Sequence, residues 1–227
     1  MNGVTLQSVA PWLVSQAPVL PAAWLMQLYL HLGWSVVLVM LGWLATGRWS
    51  AHRPALRAVP WLLGVWAWLP GGYGLSYWLG LAFQAPSVTT VLLCAVWLRA
   101  RWMNPSHGVA VERHTATTWV LVFAGILLGW ALLLDTLALW PLQWYAWGFS
   151  PVAPAVVLVL TLLPWVVSQG KPGQSGTGVG PWLPALAVLL FVLLHLPSGN
   201  LWDALLDPWL WLVLQGYGLR RLWICYR

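Results

Sequence analysis

The sequence predicts an all-α fold, a polytopic bundle of about seven transmembrane helices. Three observations predict it. The 227-residue chain is 61% hydrophobic and only 6% charged, with a mean hydropathy of +0.77. A soluble domain carries roughly 25% charged residues, so this chain has too few polar groups to cover a water-facing surface. Its 10 basic residues fall in four short stretches divided by long apolar runs. Arg48, Arg53 and Arg57 make the first, and Arg99, Arg101 and Arg113 the second. Lys171 stands alone, and Arg220, Arg221 and Arg227 close the chain. The third observation is the 22 tryptophans, a residue whose apolar ring and polar N–H suit the membrane interface. Several, such as Trp34, Trp66 and Trp130, lie inside apolar runs, where packing is their expected role.

Residues 1–20 carry no charged side chain and include Pro11 and Pro18. Without the basic start of a signal peptide, they read as an interfacial segment outside the cytoplasm. The first span is 21–46, longer than the roughly 20 apolar residues a crossing needs. It ends at Gly47-Arg48, which puts its C-terminus in the cytoplasm. The next basic stretch begins at Arg99, so 58–98 must cross out and return. Pro70-Gly71-Gly72 is the expected turn, between a short helix at 58–69 and a longer one at 73–98. Because 58–69 is short for a crossing, a break near Gln84-Ala85-Pro86 is the alternative. Residues 70–86 would then lie along the outer surface or re-enter the membrane.

A polar cytoplasmic loop follows at 99–115, then a fourth span at 116–139 and an aromatic outer loop at 140–147. The fifth span is 151–167. The Gly- and Ser-rich stretch 168–181 reads as a flexible cytoplasmic loop. The sixth span is 181–196, and the seventh runs from Leu201 or Pro208 to Leu219, ending at Arg220-Arg221. Residues 1–227 thus form a single integral membrane domain, N-terminus outside and C-terminus cytoplasmic. That orientation places every basic residue on the cytoplasmic side of a bacterial-type inner membrane, as the positive-inside rule demands.

The formal net charge of +6 does not imply nucleic acid, because the charges end apolar runs instead of forming one basic face. Lipid headgroups are the expected contacts. Cys94 and Cys225 share no CxxC spacing and both lie toward the reducing side, so no disulfide is expected.

An ionisable side chain at a helix centre costs roughly 2.5–3.5 kcal/mol to insert and so faces a partner or a cavity. His31 lies inside the first span, with Gln27 one turn earlier on the same face. Asp135 occupies the outer half of the fourth span, and His195 the outer end of the sixth. Asp203 and Asp207 follow in the outer segment. The expectation is a polar site in the outer half of the bundle. Asp135, His31, His195, Gln27 and Asp203 are its ligand or proton-relay candidates. The competing reading makes Asp135 a hydrogen-bonding partner for a neighbouring helix and each histidine a packing residue. Gly125-Ile126-Leu127-Leu128-Gly129 matches the small-xxx-small motif for close helix contact.

Catalytic patterns are missing. There is no GxSxG elbow and no HExxH helix, and Gly170-Lys171-Pro172 lacks the spacing and hydroxyl of a phosphate loop. We expect no metal and no cofactor. Axial haem ligation by His31 and His195 is the one arrangement the sequence offers, and the two lie at different depths. The expected function is a non-catalytic subunit or assembly factor of a larger membrane complex, with lipids and other membrane-protein subunits as partners. A small-solute or proton-coupled permease using the outer polar site is the alternative, and a membrane enzyme comes third.

Overall fold

A computed structural model describes residues 19–47, 53–103, 116–139, 143–168 and 182–225. Among these residues the chain is all-helical, with ten α-helices, two 3-10 turns and no strand. The expected 168–181 loop and the 1–20 segment fall outside the described residues, apart from Ser168, Val19 and Leu20.

Helix α1 (Ala23–Thr46) is followed by the 3-10 turn Pro54–Arg57 and by α2 (Val59–Trp66). The 3-10 turn Gly71–Tyr73 leads to α3 (Leu75–Phe83) and α4 (Val88–Met103). Then come α5 (Ala116–Thr136), α6 (Trp144–Trp147) and α7 (Ala153–Ser168). Helices α8 (Leu183–Leu194), α9 (Leu201–Leu205) and α10 (Pro208–Cys225) complete the order. Among the described residues two helices, α1 and residues Thr118–Thr136 of α5, are long and apolar enough to cross a membrane. Their most apolar windows are only 33% and 11% buried, whereas the core helix of a soluble protein is buried on most sides.

Glycine lets α1 and α2 lie close together. A Cβ on Gly42 would stand 2.8 Å from Pro60 Cα, and one on Gly64 2.7 Å from a Val39 methyl. The Ser35 hydroxyl donates to Gly64 O at 3.0 Å across the same contact. The main core joins α1, α4, α7, α8 and α9 through Tyr29, Val88, Val157, Val188, Phe191, Leu201 and Trp202. Helix α5 pairs with α10, where a Cβ on Gly125 would stand 2.8 Å from a Leu214 methyl and one on Gly129 would overlap the Trp211 ring.

The expected continuous helix over 73–98 is instead two helices. Gln84 adopts φ 62° and ψ −161°, and Pro86 has no N–H to continue the ladder. Both sites considered for the outer break are therefore used: the chain turns at 67–74 and breaks again at 84–87. Carbonyls freed by such a break need donors where no water can reach them. Helix α1 supplies two: Trp34 Nε1 donates to Gln84 O and the Tyr29 hydroxyl to Pro86 O, each at 2.9 Å. The expected seventh span divides similarly into α9 and α10, separated by Leu206 and Asp207.

Candidate functional site

Asp207 stands immediately before Pro208, the first residue of α10. Its Oδ1 accepts from Leu210 N at 2.7 Å, the N-cap bond that satisfies an otherwise orphaned first-turn donor. Its Oδ2 reaches the start of α4, accepting from Ser87 N at 2.9 Å and Thr90 Oγ1 at 2.5 Å. Ser87 Oγ in turn accepts from Thr90 N at 3.1 Å. Asp207 is buried, and its charge sits between two helix N-termini, whose partial positive ends favour it. One carboxylate therefore pins α4 to α10.

Asp135 and Asp203 meet at a single residue, Tyr145 in α6. Asp135 lies in the last turn of α5, where a carboxylate opposes the helix dipole, but its Oδ2 accepts from Tyr145 N at 2.8 Å. Asp203 Oδ2 accepts from the Tyr145 hydroxyl at 3.0 Å and from the Ser198 hydroxyl. Burial and the adjacent Asp203 charge push the Tyr145 phenol up to about 12, so it stays protonated and donating at neutral pH. Asn200, fully buried, caps α9 by accepting from Trp202 N at 2.9 Å and donates to Tyr145 O at 3.0 Å. Trp202 Nε1 donates to Trp144 O at 2.7 Å, and Leu201 N to Gly148 O at 3.1 Å. Helices α6 and α9 are thereby clasped, with Gly148 leaving room for Asn200 and Trp202.

His31 belongs to a separate cluster. Its Nδ1 lies 2.8 Å from Ala67 O and 2.6 Å from Ser76 Oγ, which itself lies 2.6 Å from Ala67 O. The single Ser76 hydroxyl proton is donated to Ala67 O. With that carbonyl as its acceptor, a proton on Nδ1 would complete the contact. The ring also stacks on Trp68, with centroids 5.6 Å apart. His31 thus ties α1 to the turn between α2 and α3. His195 ends α8 in the left-handed conformation, φ 54°, with its ring tilted against Phe191 at 5.6 Å. No ring contact or hydrogen bond joins it to His31, and Gln27 is exposed on α1.

Gln27 aside, the candidates are thus distributed over three places. Asp135 and Asp203 converge through Tyr145, His31 serves the α2–α3 turn, and His195 stands alone at the end of α8. Among the described residues no group of three or more His, Cys, Asp and Glu is placed to hold a metal ion. Helix-packing Gly125 and Gly129 face α10 of the same chain, where Trp211 Nε1 donates to Ile126 O at 3.2 Å.

Tyr145, Asn200, Ser198 and the Asp207–Ser87–Thr90 set were not among the sequence candidates. Cap signals mark two of them: Asp207-Pro208 is an N-cap followed by proline at the first helical position, and Asn200 precedes Asp203 with capping-box spacing. Tyr145 carries no comparable local signal. Beside Asp203, an open cleft of about 500 Å³ separates the end of α3 from the start of α10, bordered by Phe83, Gln84, Asp203, Trp209 and Leu212. No protein-family model, curated protein or solved structure matches the chain.

Proposed function

We propose that this chain is an integral protein of a bacterial-type inner membrane, crossing about seven times and serving as a non-catalytic subunit or assembly factor of a larger membrane complex. One observation carries the functional half of the reading. Asp135, Asp203 and Asp207 each accept hydrogen bonds from backbone N–H or hydroxyl groups at helix ends, and among the described residues no Lys or Arg is one of their partners. Groups committed to holding helix ends are scaffold, and an acid–base pair ready for turnover is missing from among them. The membrane half is supported by large apolar side chains on outward faces, including Phe123 and Leu127 of α5 and Val213 of α10. Other membrane subunits and lipid are the partners on this reading.

The test is made in membranes containing the native level of the chain. Alkaline carbonate should leave it in the pellet. Native electrophoresis after mild detergent should place it with a constant set of membrane proteins, whose abundance falls when this chain is deleted. A chain that migrates alone, with no other membrane protein depleted by its loss, would sink the subunit reading. One observation favours the permease alternative: the cleft brings the Asp203 carboxylate to an open apolar surface. Solute or proton flux in liposomes holding the purified chain alone would replace the first reading with that one.

A further inference from the structure

The cleft between α3 and α10 combines an acidic residue with aromatic walls. Asp203 Oδ2 is occupied by the Tyr145 and Ser198 hydroxyls, while Oδ1 accepts no hydrogen bond from the described residues. Phe83 and Trp209 form adjoining walls, packed edge to face with centroids 5.0 Å apart. Leu212 and Pro208 add apolar surface. We propose that this cleft binds an organic ammonium group carried on an apolar body, with the cationic head at Asp203 and the rings of Phe83 and Trp209. The proposal rests on the membrane reading only for where the cleft lies, which is the outer half of the bundle.

The charge chooses the sign of the ligand, since a carboxylate repels anions and attracts cations. The aromatic walls choose its kind: ring faces attract ammonium groups, and the attraction grows as the site is desolvated. A hard metal ion is a poor match, because Ca²⁺ takes 6–8 oxygen ligands and the cleft offers one carboxylate and one amide. The volume of about 500 Å³ lies in the range of small-molecule sites.

Gln84 gives independent support. Its backbone, φ 62° and ψ −161°, lies in a region essentially confined to glycine. Glycine would make this break without strain, yet the position carries a glutamine, and this residue lines the cleft. The amide oxygen is an acceptor for an ammonium N–H, and that use accounts for a side chain at a strained position. Two sources share the ligand chemistry, the ethanolamine headgroup of an outer-leaflet phospholipid and a free amphiphilic amine.

The full chain, purified in a non-ionic detergent, is tested by native mass spectrometry with phosphatidylethanolamine and phosphatidylglycerol at equal concentration. In parallel, its thermal midpoint is followed with added hexylammonium chloride, against sodium chloride as control. A preference for phosphatidylethanolamine identifies the lipid source. A hexylammonium shift without that preference identifies the free amine. Asp203→Asn keeps an acceptor for Tyr145 and Ser198 but loses the charge, and should weaken binding about tenfold, the loss of one charge-assisted contact. Trp209→Leu leaves the carboxylate network intact and should weaken binding severalfold. Gln84→Gly should raise the thermal midpoint while weakening binding. Equal retention of both lipids with no hexylammonium shift overturns the proposal, as does wild-type binding by both Asp203→Asn and Trp209→Leu. Release by carbonate of a chain that still binds hexylammonium through Asp203 would remove the membrane reading and leave the site.

Discussion

Asp207 shows how much one side chain can hold. Removing it leaves Ser87 N and Leu210 N without their acceptor and frees Thr90 Oγ1, all beside the main core. An N-cap is worth about 1 kcal/mol, and each buried donor left unsatisfied costs about 1–3 kcal/mol. Asp207→Ala should therefore lower stability by about 2–4 kcal/mol, measured by thermal or denaturant unfolding in micelles. Asp207→Asn retains one good acceptor and should cost less than half as much. An Ala variant as stable as the parent would mean that α4 and α10 are held by apolar packing alone. Asp135 is a milder case, with one partner, Tyr145 N, at a half-exposed position. Asn can replace it there with little loss.

Helices α5 and α10 associate through shape. On the proposed membrane reading there is no hydrophobic drive between apolar helices in lipid, so close approach and a few hydrogen bonds decide the contact. Gly129 admits the Trp211 ring, which packs edge to face on Trp130 at 5.2 Å and donates to Ile126 O. Gly129→Leu would force the ring out and should cost about 1–3 kcal/mol, the range for overpacking. Gly216, on the same helix as Trp211, has nothing within 4 Å of its Cβ position, so Gly216→Leu is the silent control. Cysteines placed on facing positions of α5 and α10 should cross-link in the parent and much less in Gly129→Leu. Equal cross-linking in both would show that the two helices are positioned by their connections and not by this seam.

At the scale of the whole molecule, charge and polarity divide the chain end from end. The described basic residues lie near helix ends: Arg53 and Arg57 precede α2, Arg99 and Arg101 lie in the C-terminal part of α4, and Arg220 and Arg221 in that of α10. Arg101 rests on the Trp43 and Trp97 rings, 5.0 and 5.7 Å from their centroids, beside the C-terminus of α1. Asp207 caps the opposite end of α10 from Arg220 and Arg221. On the proposed topology, reporter fusions after Gly170 or at the C-terminus read as cytoplasmic, and those after Gly148 or Gly199 as external. A cytoplasmic signal at Gly199 would overturn the crossing number from α7 onward.

What the sequence determined by itself was helix as the only element type among the described residues, the outer limits of most of these helices, and the ionisable residues within them. Composition and the spacing of basic residues report those directly. Apolar backbone must satisfy its own hydrogen bonds, and cations mark where each apolar run stops. The Pro70-Gly71-Gly72 and Gln84-Ala85-Pro86 signals were both visible, but local sequence could not choose between them. The structure uses both, because Trp34 and Tyr29 of α1 supply donors to the second break. Tertiary structure alone decided where each candidate went. Asp135 and Asp203 are separated by 68 positions in the chain, and they meet only because Tyr145 offers its N–H to one and its hydroxyl to the other. A local pattern names a residue that needs a partner. The packing of distant helices is what chooses which partner it gets.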